Sequence, residues 1–231
     1  MTIPNTHDFD PTPSPALPEE AATRLSQVST ATLTSVLLKF GIRTPFMRRV
    51  HPIVKGRRLV GKAYTLRYIP LREDLDGPAL EGRFDNLTNP QRIGVEHVGP
   101  GDVMVIDARE EVDAGTIGNI LVTRMRVRGA AGIVTDGSFR DADGIAAVGL
   151  PAYPVACGGV SVFPGDALVG DDDGVVVIPR HLVVDVAARA IEQERRERFI
   201  LARISAGASI IGTYPPDADT IAAYEATRGP D

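Results

Sequence analysis

Apolar residues first recur at helical spacing in "STATLTSVLLKFG" (29–41), where Leu33, Val36, Leu37 and Phe40 fall at i, i+3, i+4 and i+7. Ser29 or Thr30 can cap this helix and Gly41 stops it. Upstream, residues 1–18 hold five prolines and no periodic apolar pattern, which predicts an extended or disordered arm. "RRLVGKAYTLRYIP" (57–70) is rich in β-branched and aromatic residues and predicts a strand closed by Pro70. Residues 71–98 are mixed and polar, and "EDLDGPALEGRFD" there reads as a loop with a short surface helix. From Gly99 the pattern sharpens. "GPGDVMVID" predicts a turn and a buried strand, Val103 to Ile106; "TIGNILVTRMRVRG" predicts a helix from Gly118 to Gly129. "AAGIVTD" gives a second strand, Ile133 to Thr135, and "RDADGIAAVG" opens another helix. Strand–helix–strand in this order implies a parallel pair with a right-handed crossover. "FPGDALVGDDDGVVVIP" (163–179) repeats the Pro-Gly-Asp turn, read as the same turn chemistry used twice, and predicts a hairpin around Asp173-Gly174. A long helix follows over about 181–206, with Leu182, Val183, Val186, Ala190 and Ile191 on one face. Residues 207–231 read as a Pro- and Gly-rich tail that wraps a neighbouring surface.

Composition narrows the classes. The chain has 231 residues, 43% hydrophobic and 24% charged, as in a globular protein with one well-buried core. Its net charge of −5 and 5% aromatic content argue against nucleic acid as a partner. Cys157 is the only cysteine and reads as a buried small residue; His7, His51, His97 and His181 are far apart. A Cys- or His-rich zinc centre is therefore not expected, and a hard ion such as Mg²⁺ or Mn²⁺ on oxygen ligands is the better expectation. The first twenty residues lack the pattern of a signal peptide and no apolar run reaches membrane length, so no membrane partner and a cytoplasmic location are expected.

The strand–helix–strand unit collects the polar chemistry at one edge. The helix beginning at Gly118 and the loop Asp136–Asp141 must emerge side by side at the carboxyl ends of the parallel strands, where ligands of open α/β sheets sit. Gly118, Asn119, Ile120 and Leu121 offer free backbone N–H groups and the positive end of a helix dipole to an anion. Arg140 adds a planar guanidinium and Asp141 a hard oxygen ligand. Together these suit a small 2-keto acid and a divalent cation that polarises its keto oxygen. The same residues also fit blander roles: a plain helix start at Gly118-Asn119, and a helix-capping surface pair at Arg140-Asp141. Asp136-Gly137 reads as a turn and Asp143 as a first-turn acid of its helix.

Taken together, "GNILVTRMRVRGAAGIVTDGSFRD" and "CGGVSVFPGDALVGDDDGVVVIP" resemble the family that includes 4-hydroxy-4-methyl-2-oxoglutarate aldolases and the regulator of ribonuclease activity A, over residues 29–206. The resemblance implies an α/β fold, a swivelling β/β/α domain like phosphohistidine domains, with helical N- and C-terminal extensions. It divides the chain into an arm (1–18), a catalytic domain (19–206) and a tail (207–231), and implies assembly as a homotrimer or hexamer. It further implies a divalent-metal-dependent lyase, needing Mg²⁺ or Mn²⁺, that releases pyruvate from 4-hydroxy-2-oxo acids through a stabilised enolate and decarboxylates oxaloacetate. The backbone of Gly118 to Leu121 would hold the pyruvate carboxylate, Arg140 would contact substrate oxygens, and Asp141 would be the direct metal ligand. Two other readings stand beside it: a non-catalytic, protein-binding regulator of an RNA-degrading nuclease, and a lyase or dehydratase for sugar-derived keto acids. The presence of Asp141 favours the enzyme. Two departures from the family pattern stand out. Asn119 occupies a place where many of the aldolases have an acidic residue, and Asn does not carry a proton as a carboxyl does. The passage "VGLPAYPVACGG" is also shorter than usual between these landmarks.

Overall fold

A computed structural model describes residues 14–70, 87–154 and 159–227. The first part of the proline-rich arm, the proposed surface helix in "EDLDGPALEGRFD", Cys157 and the end of the short 149–158 passage lie outside the described residues. Among the described residues no helix is long and apolar enough to cross a membrane.

Among the described residues one seven-stranded mixed sheet organises the fold. Strand β2 (Leu59–Arg67) pairs parallel with β3 (Asp102–Asp107), β3 with β4 (Gly132–Thr135) and β4 with β5 (Ala152–Tyr153). On its other side β2 pairs antiparallel with β6 (Ala167–Gly170), β6 with β7 (Val175–Ile178), and β7 with β1 (Phe46–Met47). Helices α1 (Glu19–Leu25), α2 (Thr30–Lys39) and α6 (Val183–Ser205) share a core with Ala167, Val169, Val176 and Ile178. Helices α3 (Pro90–His97), α4 (Asn119–Val127) and α5 (Ala142–Val148) share another with Met104, Ile106 and Ile133. The alternate strand residues Val103, Val105, Val134, Leu168, Val175 and Val177 meet Leu59 and Tyr153 in a third cluster on the opposite face. Strands β3, β4, β6 and β7 are thus buried on both faces, which is why they read as unbroken apolar runs rather than alternating ones.

The two Pro-Gly-Asp turns are one device used twice. Asp102 Oδ2 accepts from Gly99 N and Asp166 Oδ2 from Phe163 N, each at 2.9 Å, and both glycines take positive φ (76° at Gly101, 89° at Gly165). The remaining oxygens serve different ends: Asp102 pairs with buried Lys62, and Asp166 accepts from Arg180 N at 3.0 Å. The hairpin turn closes with Asp171 N donating to Gly174 O at 3.0 Å. The Asp171 carboxylate also takes the backbone N–H and hydroxyl of Thr30, each at 2.8 Å, tying the hairpin to the start of α2. Ser29 caps α2, its Oγ accepting from Thr32 N at 3.1 Å. Ser29→Ala is expected to lower the unfolding free energy by about 1 kcal/mol, visible as a lower denaturant midpoint at unchanged slope. The segment after Ser205 packs on the molecule and, beyond what its composition indicates, forms a helix. It carries α7 (Ala218–Ala226), capped by Asp217 and docked on α6 through Tyr224, which lies 5.5 Å from the Phe199 ring and donates to Glu192 Oε1 at 3.0 Å.

Candidate functional site

The carboxyl ends of β3 and β4 are continued by their loops. A parallel bridge joins Gly115 to Ser138, Thr116 N donates to Ser138 O at 2.8 Å, and Arg140 N donates to Ile117 O at 3.0 Å. The two segments can lie this close because Gly115 has no side chain: a Cβ there would stand 2.8 Å from Arg140 Cβ and 3.0 Å from its backbone N. The start of α4 and the Arg140-Asp141 dipeptide are therefore held in register by the backbone.

Gly118 is the N-cap residue of α4, and no side chain caps the helix. The first intrahelical bond runs from Val122 N to Gly118 O (3.2 Å), so the amides of Asn119, Ile120 and Leu121 precede it. Asp141 stands at the N-cap position of α5 but makes no capping bond, and its backbone is left-handed (φ 61°, ψ 48°). Such a conformation costs a non-glycine residue about 1–3 kcal/mol, least for Asp and Asn. Its carboxylate turns to Gly118 instead: a Cβ on Gly118 would sit 3.1 Å from Asp141 Oδ2 and 3.4 Å from Arg140 Nε. Arg140 Nε and Asp141 Oδ2 are 3.7 Å apart and both side chains are largely in solvent, so their pairing is loose.

A cavity of about 270 Å³ unites these groups. Gly118, Asn119, Ile120, Leu121, Arg140 and Asp141 all line it. They do not all face it equally. Asn119 packs its amide over α5, where a Cβ on Gly144 would meet Nδ2 at 2.6 Å, and Ile120 is 80% exposed.

Gln91 and Arg92, on the first turn of α3, also line the cavity and were not legible as site residues. The local signal was Asn89 followed by Pro90: Asn89 Oδ1 accepts from Arg92 N at 3.1 Å, and Pro90 fills the first turn. Gln91 Nε2 donates to Tyr68 Oη (2.7 Å) and to Thr116 O (2.6 Å), and Tyr68 Oη donates to Thr116 O (3.0 Å). Burial pushes the Tyr68 phenol up to about 12, against the Gln91 hydrogen bond and the Arg92 charge, so it remains a donor through the neutral range.

Asp136 does more than turn the chain. Its buried carboxylate accepts from Ala108 N and, at 3.0 Å, from Glu110 N. This holds the loop after β3 with both Arg109 (φ 61°) and Glu110 (φ 60°) left-handed. Asp143 lies in the first turn of α5.

Among the described residues no three His, Cys, Asp or Glu side chains gather, so no all-protein metal cage is offered. An exposed carboxylate with no capping bond, as at Asp141, nevertheless fits a Mg²⁺-type ion that keeps most of its waters and takes one or two carboxylates.

A family profile described as RraA-like, Aldolase/RraA, matches residues 26–156. Protein DlpA of Legionella pneumophila is 26% identical over 228 residues, covering 88% of this chain and 35% of that protein. A protein of Halalkalibacterium halodurans, named as a candidate 4-hydroxy-4-methyl-2-oxoglutarate aldolase, is 35% identical over 124 residues, 44% of this chain and 59% of that one. The chain thus spans between about a third and three fifths of the length of these curated relatives. Among solved structures, Streptomyces coelicolor RraAS2, described as an unusual member of the RNase ES inhibitor RraA protein family, superposes with a TM-score of 0.69 at 31% identity. The superposition covers 81% of this chain and 98% of that one.

Proposed function

The chain belongs to the RraA-like family, and on that premise we propose that it is a divalent-metal-dependent carbon–carbon lyase for small 2-keto acids, releasing pyruvate. The observation that carries the proposal is the convergence of an uncapped helix start at Gly118, the Arg140 guanidinium and the uncommitted Asp141 carboxylate on one small cavity. The Halalkalibacterium relative supports the same reaction class.

The amides of Asn119 to Leu121 receive the substrate's 1-carboxylate, and Arg140 pairs with its outward oxygens. Asp141 would hold Mg²⁺ or Mn²⁺, and such an ion would supply Lewis-acid polarisation of the keto oxygen. Among the described residues, the cavity's ionisable lining residues are Arg92, Arg140 and Asp141. Arginine does not deprotonate in proteins, and Asp141 is assigned to the ion. Among the described residues no lining side chain is therefore left over as a general base. Aldol cleavage needs a base to take the 4-hydroxyl proton. Decarboxylation of oxaloacetate does not: the C3–C4 bond breaks, CO₂ leaves, its electron pair passes toward the keto oxygen, and water protonates C3 to give pyruvate. Oxaloacetate decarboxylation is accordingly the reaction these residues support without help. For aldol substrates the base would come from water or from a neighbouring copy in a trimer or hexamer. Exposed Leu201, Ile210, Ile211 and Tyr214 are consistent with such an assembly.

The purified chain with Mg²⁺ or Mn²⁺ is expected to form pyruvate from oxaloacetate faster than the same concentration of free ion, as read by a coupled lactate dehydrogenase assay. A chelator should remove the excess rate. A rate equal to that of the ion alone would sink the proposal. The likeness to RraAS2 supports a second reading, a protein-binding regulator of an RNA-degrading nuclease. Capture of such a nuclease by a chain without lyase activity would favour it.

A further inference from the structure

Among the described residues two arginines have a buried Nε with no hydrogen-bond partner, Arg58 and Arg92. Their situations differ. Arg58 Nη2 donates to Leu25 O at 3.0 Å and its Nη1 lies 3.6 Å from the Asp171 carboxylate, so its charge is answered. Arg92 sits in the wall of the candidate site, and among the described residues no carboxylate pairs with its guanidinium. Its position is fixed rather than casual: the Asn89 cap binds its backbone N–H, and Gln91 beside it is tied to Tyr68 and Thr116. Among the described residues, the cavity therefore holds two guanidinium groups and a helix N-terminus against the single carboxylate of Asp141. A monoanionic keto acid satisfies the helix start and Arg140, and leaves Arg92 with a buried, unanswered donor. Such a donor is costly, and a ligand group that meets it with a charge-assisted hydrogen bond gains accordingly.

Resting on the keto-acid reading of the site, we infer that Arg92 is a specificity-determining residue that takes a second carboxylate, on the part of the substrate that departs, so that the site selects dicarboxylic over monocarboxylic 2-keto acids. The guanidinium fork suits a carboxylate in two-point contact, and an ammonium does not reproduce that geometry.

Calorimetric titration of the full chain with Mg²⁺ tests this with two unreactive keto acids of equal chain length. 2-Oxoglutarate carries the second carboxylate and 2-oxopentanoate lacks it. The wild type is expected to bind 2-oxoglutarate about ten- to a hundredfold tighter, the range of one charge-assisted hydrogen bond. Arg92→Gln should bring that ratio to about one while leaving 2-oxopentanoate affinity within about twofold, and Arg92→Lys should keep an intermediate ratio. A wild-type ratio near one, or a ratio preserved in Arg92→Gln, overturns the assignment of Arg92 and leaves the keto-acid reading standing. If neither compound binds the wild type, the keto-acid reading falls and this inference with it.

Discussion

Asp141→Asn is expected to reduce metal-dependent pyruvate formation by roughly 10³-fold, the worth of several kcal/mol of transition-state charge stabilisation, without unfolding the protein. The substitution is informative because of the backbone it sits on. At φ 61° most side chains would add strain, and Asn is among the residues that tolerate the left-handed region as Asp does. The carboxylate makes no capping bond that Asn would forfeit, and Arg140 pairs with it only loosely at 3.7 Å. Stability should therefore stay within about 0.5 kcal/mol of wild type, as for surface substitutions, while the charge that holds a divalent ion is gone. Steady-state rates at saturating Mg²⁺, Mn²⁺ binding by electron paramagnetic resonance, and a thermal melt separate the two effects. A variant that binds Mn²⁺ normally and keeps a rate within tenfold of wild type would remove Asp141 from the metal site.

Asp136→Asn should act by the opposite route, damaging the fold locally and the site as a consequence. Both carboxylate oxygens accept backbone N–H groups, from Ala108 and Glu110. An amide can replace one oxygen but sets an NH₂ group against the other N–H. One buried donor then loses its partner and a second donor faces it, at a cost of about 2–4 kcal/mol for a charge-assisted pair of bonds. The cost is raised by what these bonds restrain. Arg109 and Glu110 are consecutive left-handed residues, each holding about 1–3 kcal/mol of backbone strain that only the surrounding contacts keep in place. Released, this loop would relax toward ordinary conformations and carry with it the segment leading to Gly115, Thr116 and the start of α4. Denaturant unfolding should show the stability loss, and pyruvate formation should fall in molecules that remain folded. Full activity with an unchanged midpoint would show that the loop keeps its shape without this anchor.

The sheet and its crossover helix were legible because their signals are local. Val103 to Ile106 and Ile133 to Thr135 are short apolar runs bounded by glycine turns, and the helix between them has glycine at both ends. The juxtaposition of Gly118 with Arg140 and Asp141 followed from topology alone, since a crossover returns to the same edge. What the sequence concealed depends on contacts between distant segments. The Asp136 anchor joins residues 26 and 28 positions apart, so the dipeptide Asp-Gly read simply as a turn. Arg92 and Gln91 lie on a helix of eight residues in a polar stretch, too short and too mixed to show periodicity. Helix α7 was hidden by the glycines and prolines before it, although Asp217 at its start is an ordinary capping residue. Asn119 raised the question of a missing acid. Its amide packs against the neighbouring helix at Gly144, in space that a side chain there would need.

The bridge between Gly115 and Ser138 sets the tolerance of the site to change. Upstream of it, the loop from Ala108 to Ala114 crosses the sheet edge; downstream, Gly118 faces Asp141 across a fixed number of residues on each strand. Backbone pairing at the bridge restores the alignment so long as Asp136 still anchors Ala108 and Glu110 at the start of the loop. Glu111 and Ala114 line a neighbouring cavity rather than this one, so additions or deletions within residues 111–114 would leave the spacing of the helix start, the guanidinium and the carboxylate the same. The length of this one loop can in this way drift while the groups of the candidate site keep their places.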